Sequence, residues 1–223
     1  MGNIIVNSQN KAYIINGNAI IIAEPEFHDY LVFDGVAYVE TDIVLPEDCS
    51  IRCFMGYETQ RIPQLIYGAA SANGQISVFI NSSSTNSDRY FSARYCSSSS
   101  LLSNKALGWS EYPTYALFQT PKRFGFGNAP STYTKGSSHP TGTLRIGGLL
   151  DFTSSPFTGK MKTYTIYDSS AQNATTAAEL LEYTPVYTLE PCIYLGQAGY
   201  WNVQERKFYG NAATSGALSV DDD

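Results

Sequence analysis

The chain has 223 residues and a formal net charge of −6, with 43% hydrophobic residues, only 15% charged residues and 17 tyrosines. A chain of this length can bury a sizeable core without disulfide or metal staples, and its hydrophobic content excludes a disordered polymer. Lys and Arg are scattered, so no basic groove for nucleic acid is expected, and no apolar run approaches the ~20 residues of a membrane span.

The first segment, residues 11–22, reads as a β-hairpin. Asn16-Gly17 is a preferred two-residue turn pair flanked by β-branched runs. Both arms are apolar on successive residues, and an isolated two-stranded ribbon of that kind is unstable in water. The spacing therefore predicts an anchoring or oligomerising segment at 1–26, ended by Glu24-Pro25-Glu26, ahead of a domain at 27–223. No basic segment precedes the short apolar run Ala19 to Ala23, so no secretory leader is expected.

From Tyr30 onward, short runs rich in Val, Ile, Tyr, Phe and Thr alternate with turn signals. Strands are predicted at 30–33, 38–44, 50–58, 64–69, 76–81, 90–95, 115–119, 123–127, 143–146, 160–168 and 186–189. Asp34-Gly35 predicts a second hairpin, joining 31–33 to 36–39. The stretch 97–113 reads as a long surface excursion with room for one short strand, and 128–142 as a Ser/Thr/Gly/Pro-rich loop. One helical turn is expected at 174–181, where Thr175, Thr176 and Glu179 have a capping-box arrangement. A dozen short strands define an all-β sandwich or barrel.

Motifs for chemistry are sparse. There is no nucleophile elbow, phosphate loop or dinucleotide fingerprint. His28 and His139 fall in a predicted linker and loop and read as surface residues. Cys49, Cys53, Cys96 and Cys192 match no zinc spacing and read as buried free thiols. Glu40 and Asp42 share one face of a strand, yet the next carboxylate, Glu47, follows Pro46 too late for a sugar-cleaving pair. No catalytic residue, metal site or cofactor is assigned, although Asp34, Asp42, Asp48 and Asp88 are loop carboxylates of the kind calcium uses. The acidic end Asp221-Asp222-Asp223 reads as a solvated tail. The candidate ligand-binding residues are Trp109, Tyr112 and Tyr115, whose rings could stack on a sugar, with Arg94 near them in the sequence.

Three stretches together carry a family resemblance: Tyr30-Leu-Val-Phe-Asp-Gly-Val-Ala-Tyr-Val-Glu-Thr-Asp42; Leu144-Arg-Ile-Gly-Gly148 with Phe157-Thr-Gly-Lys-Met-Lys-Thr-Tyr-Thr-Ile-Tyr-Asp168; and Pro185-Val-Tyr with Gly199-Tyr-Trp-Asn-Val-Gln-Glu-Arg-Lys-Phe-Tyr-Gly-Asn211. Their order and spacing resemble concanavalin A-like domains of the laminin-G type, found in phage tail or appendage proteins of gut bacteria. The resemblance implies a jelly-roll sandwich of two antiparallel sheets, preceded by the short hairpin. Trp201-Asn202 stands where an Asp is common in the family, which argues against a ligand role at that position.

On that resemblance the expected function is a virion appendage protein, a tail or head fibre or decoration protein. It would be held to other virion proteins by its N-terminal segment, form a homo-oligomer such as a trimer, and contact a cell-surface glycan. It would be assembled in the host cytoplasm and carried on the virion. The alternative is a carbohydrate-binding module or lectin domain of a larger secreted protein, at the cell surface or outside it. A glycoside hydrolase is the third reading. Partners exclude nucleic acid and membrane insertion.

Overall fold

In a computed structural model, the described residues are 10–15, 18–57, 64–72, 74–82, 89–96, 102–107, 115–126, 130–132, 134–148 and 156–222. Nineteen strands run in chain order. The first nine are β1 (Asn10–Ile15), β2 (Asn18–Ala23), β3 (Glu26–Phe27), β4 (Tyr30–Asp34), β5 (Val39–Val44), β6 (Ser50–Tyr57), β7 (Gln64–Ala70), β8 (Gln75–Ser82) and β9 (Arg89–Tyr95). They are followed by β10 (Leu102–Leu107), β11 (Tyr115–Gln119), β12 (Arg123–Phe126), β13 (Ser131–Thr132), β14 (Thr143–Ile146) and β15 (Thr158–Tyr167). The last four are β16 (Tyr187–Tyr194), β17 (Gln197–Asn202), β18 (Lys207–Tyr209) and β19 (Leu218–Asp221).

Among the described residues β1 and β2 pair with each other alone, and the Ile15–Asn18 register leaves two residues between them. The other strands form two antiparallel sheets. The six-stranded sheet has the order β10-β9-β8-β7-β14-β5. The larger sheet has the order β13-β12-β11-β6-β15-β16-β17-β18, with β4 beside β15, β19 beside β4 and β3 beside β16. The two sheets enclose one core, in which Leu31, Phe33, Val39, Ile66, Tyr67, Val78, Phe91, Ile146, Phe157, Tyr164 and Tyr200 are buried together. Edge-on ring contacts stitch this core: Tyr67–Tyr164 at 5.7 Å and Tyr164–Tyr200 at 5.8 Å between centroids. This is the expected jelly-roll class of sandwich.

Alternation decides which side chains face the core. In β5, Val39, Thr41 and Ile43 point in, whereas Glu40, Asp42 and Val44 point out. In β14, Leu144 and Ile146 point in and Arg145 points out.

Several sequence expectations are corrected. Asp34-Gly35 makes no hairpin: β4 belongs to the larger sheet and β5 to the six-stranded one, so the turn carries the chain between layers. Asp34 Oδ1 accepts from the N–H groups of Val36 and Ala37 at 2.9 and 2.8 Å, and Oδ2 from Ala217 at 2.6 Å. Gly35 supplies the left-handed φ of +84° that the turn needs.

The final strand of the prediction extends to Tyr194, through Pro191. This is tolerated because β15 pairs with residues 187–189 and β3 with 192–193, so Pro191 falls in the gap between them. The helical turn at 174–181 is a 3-10 turn at Glu179–Glu182. The N-cap of this turn is Ala178, without a side-chain cap, but the Thr–Glu contacts form just ahead of it: the Thr175 N–H and hydroxyl donate to Glu179 at 2.7 and 2.6 Å, and the Glu179 N–H donates to Thr176 Oγ1 at 3.1 Å. The acidic residues Asp221 and Asp222 are solvent-exposed, as expected, but they are tied to the sheet. β19 lines β4, Asp221 faces Lys160 at 3.4 Å, and Asp222 accepts from the Asp29 N–H at 2.9 Å and meets His28 Nδ1 at 3.0 Å. His28 and His139 are accordingly not simple surface residues; His139 Nε2 lies 2.8 Å from the Leu45 carbonyl oxygen.

Candidate functional site

Two of the four sequence-predicted ligand residues, Tyr115 and Arg94, lie among the described residues, and they are on different sheets. Trp109 and Tyr112 lie outside the described residues. Tyr115 opens β11 of the larger sheet, opposite Met55. Arg94 lies in β9 of the six-stranded sheet, opposite Ser77. Tyr115 and Arg94 are separated because β9 and β11 belong to opposite layers.

The clearest aromatic surface lies elsewhere, on the outward side of the β16–β17–β18 meander. Tyr200 and Tyr209 of this meander point into the core with Leu189, and the Tyr200 hydroxyl donates to the Lys162 carbonyl at 3.1 Å. With those side chains fixed inward, the period of two turns Tyr194, Trp201 and Phe208 outward. All three remain partly exposed.

The Tyr194 ring lies 5.2 Å from Trp201, tilted by 48°, and 5.5 Å from Phe208, tilted by 41°. Trp201 is directly opposite Phe208 across the hairpin. A Cβ at Gly199 would sit 2.7 Å from the Phe208 ring, so this glycine lets the ring lie flat across the strand. Phe27 in β3, 50% exposed, faces Cys192 in register and extends the same surface.

The β16–β17 turn is formed by Leu195 and Gly196, at φ of +50° and +79°. Gln197, opposite Tyr194, also lines a depression of about 290 Å³ together with Gly196, Ala198, Asn211, Ala217 and Leu218, of which Ala198 and Leu218 pack against the core. Its Gln197 lies on the Trp201 side of β17.

This platform was missed at the sequence level. Leu195-Gly196 is a poor turn signal, and Pro191 masks the strand. The usable signal was the alternation Tyr200/Trp201 and Phe208/Tyr209, which places one ring of each pair inside and one outside.

On the six-stranded sheet, one row of directly paired residues crosses five strands: Glu40, Arg145, Gly68, Ser77 and Arg94. All five lie on the side away from the core. At the β5–β14 end the row is open. Arg145 donates to Glu40 Oε1 from Nε at 3.0 Å and from Nη2 at 2.7 Å, and the guanidinium lies 5.8 Å from the Tyr38 ring. Glu40, Ala70, Gly142, Thr143 and Arg145 line a depression of about 200 Å³ there.

Glu40 and Asp42 do share a face, as expected, but each is engaged. Asp42 accepts from Lys207 Nζ and the Tyr209 hydroxyl. Those two hydrogen bonds, Lys207 first, hold its carboxyl below the usual 3.8. Of the other loop carboxylates, Asp34 is held by backbone N–H groups, Asp48 by Lys135, and Asp88 lies outside the described residues.

The four cysteines are free and buried. Burial pushes the thiols of Cys49, Cys53 and Cys192 up to about 12 and that of Cys96 to about 11, which leaves none as a thiolate nucleophile.

The class defined by this architecture is a jelly-roll β-sandwich with a half-exposed aromatic platform on one sheet and a polar row on the other. Compared with solved structures, the chain is similar to a protein of Bacteroides ovatus named a "putative carbohydrate binding protein". The TM-score is 0.56 at 12% sequence identity, over 92% of this chain and 63% of that one. This chain thus spans less than two thirds of that protein's length, and the likeness establishes a shared fold. No protein-family model and no curated protein matches the sequence.

Proposed function

We propose that this protein binds carbohydrate, as a module without catalytic activity, through the aromatic platform of Tyr194, Trp201 and Phe208. One observation carries the reading: three mutually supporting rings stay partly open to solvent on one face of the meander, with Gln197 opposite Tyr194 on the same face. The apolar C–H face of a pyranose stacks on such rings, while its hydroxyls need hydrogen-bonding groups at the rim. Gln197 supplies such a group on the ring side of β17. The name of the structural neighbour agrees with this reading. Glu40 and Asp42, the nearest approach to a hydrolytic pair, are tied to Arg145, Lys207 and Tyr209, which favours binding over hydrolysis.

A glycan array followed by calorimetry tests the proposal. The wild-type chain is expected to retain saccharides, and Trp201→Ala to weaken them by about tenfold, the loss of ~1.4 kcal/mol, while melting as the wild type does. An array without retained glycans, or affinity untouched by Trp201→Ala, would sink the reading.

A second reading concerns context. The apolar hairpin of β1 and β2 stands as a separate two-stranded sheet, which supports an anchoring role for residues 1–26. In a virion appendage this hairpin would join the sandwich to other virion proteins or to copies of itself, as in a trimer, and present the sugar-binding surface to a host cell. Light scattering of the full chain and of a chain lacking residues 1–25 decides this. A full-length monomer removes the trimer.

A further inference from the structure

We propose a second ligand site, on the outward side of the six-stranded sheet, in which Arg94, Gln75 and Ser77 bind the oxyanion of an acidic saccharide, a carboxylate or a sulfate. It deepens the carbohydrate-binding reading by naming a substrate class, and it uses a different sheet from the aromatic platform.

The central strands of this sheet are buried on both sides, and the outward side of β8 is unusually polar for a buried surface. Gln75 is 7% exposed and Ser77 is fully buried. Ser77 is paired directly with Arg94. Arg94 Nη1 donates to Gln75 Oε1 at 2.6 Å, and the guanidinium lies 5.6 Å from the Phe79 ring.

After those contacts three buried polar atoms in adjacent positions have no hydrogen-bond partner in the protein: Gln75 Nε2, Ser77 Oγ and Arg94 Nε. Leaving a buried polar group without a partner is unfavourable, and three together call for an acceptor from outside the protein. Its chemistry is specific. The amide nitrogen and the guanidinium nitrogen can only donate, and the hydroxyl can donate.

The charge points the same way. Arg145, in the same row, is neutralised by Glu40, whereas among the described residues no carboxylate pairs with Arg94. A partly buried guanidinium surrounded by further donors matches an acceptor that brings its own negative charge.

Access is also marked. Arg94 keeps part of its surface open. Gln75 is paired with Ala70, which lines the 200 Å³ depression beside Glu40 and Arg145. A saccharide resting in that depression would have its neutral hydroxyls near the Glu40–Arg145 pair and would extend across β7 to place its oxyanion at β8 and β9, two to three strand spacings from β14.

The test uses the full chain on an array carrying neutral, uronate-bearing, sialylated and sulfated glycans, at low and high salt, with Arg94→Gln and Arg94→Lys as variants. The wild type is expected to retain oxyanion-bearing glycans at least tenfold better than their neutral counterparts, and to lose that preference as salt rises. The uronate and sialylated spots against the sulfated ones show whether carboxylate or sulfate is taken.

Arg94→Gln should abolish the preference while neutral glycans stay bound to the Trp201 platform. Arg94→Lys, which keeps the charge without the planar fork, should retain part of it. A purely structural Arg94 would instead lower the melting temperature and leave the preference intact. Neutral and acidic glycans held equally by the wild type overturn this site and leave the carbohydrate reading standing. Failure to hold any glycan overturns both.

Discussion

Gly147 ends the strand that carries Arg145, and its replacement by alanine gives a sharp test of the packing described above. Its φ is +70°, a conformation that costs an alanine about 1–2 kcal/mol. An added Cβ would also sit 2.5 Å from Cδ1 and Cε1 of Phe33. Phe33 has nowhere to go: it is 1% exposed and meets Phe157 edge-on at 5.9 Å. Forcing a methyl group into such a core costs about 1–3 kcal/mol more.

Gly147→Ala should therefore lose ~2–5 kcal/mol, a fall in melting temperature of roughly 4–20 °C for a chain of this size. Gly196→Ala separates the two contributions. Its φ is +79°, but its Cβ would meet nothing within 4 Å, so only the backbone cost should appear. In a Phe33→Ala background the steric part of the Gly147 effect should vanish, leaving a coupling of ~1–3 kcal/mol in a double-mutant cycle. Calorimetric melting of these variants is the assay. Equal losses at Gly147 and Gly196, or an undiminished Gly147 effect without the Phe33 ring, would refute the reasoning.

Three further predictions follow from individual contacts. Asp42 has its carboxyl lowered by Lys207 and Tyr209, so its stabilising contribution is full above the unfolded value near 3.8 and is lost as pH falls through the lower folded value. The gap in melting temperature between wild type and Asp42→Asn should be constant near neutral pH and close in acid; a gap that persists at pH 2 would contradict the assignment. The four buried cysteines should resist alkylation at pH 8 in the native protein and react fully in denaturant, as counted by mass spectrometry; rapid native labelling would show that the burial is wrong. Glu179→Ala removes both acceptors of the Thr175 N–H and hydroxyl, and should lower stability by about 1 kcal/mol in urea titration; an unchanged midpoint would show that the cap adds nothing.

Much of the sandwich was legible before any coordinates. The β-branched and aromatic runs located the strands because a half-buried pleated surface selects those residues. The Leu144–Gly148 segment correctly marked a tight strand end, since only a glycine fits the left-handed turn against Phe33. The pairing of the strands was not legible. Asp34-Gly35 looks the same whether it closes a hairpin or passes the chain between layers, because the turn is local and the choice of sheet is made by distant partners, β15 and β14.

The candidate sites divide along the same line. Sequence determined the residue inventory: few charges, many rings, two adjacent carboxylates and an arginine at 94. Tertiary structure decided what each could do. It tied Glu40 to Arg145 and Asp42 to Lys207, residues 105 and 165 positions away in the chain. It turned Trp201 and Phe208 outward by locking Tyr200 and Tyr209 inward, and among the described residues it set Arg94 beside Gln75 and Ser77 with no carboxylate partner. Alternation along a strand is local and can be read from sequence, but which face becomes the inside depends on long-range packing of two sheets, and that is where the exposed rings and the unpaired charge were fixed.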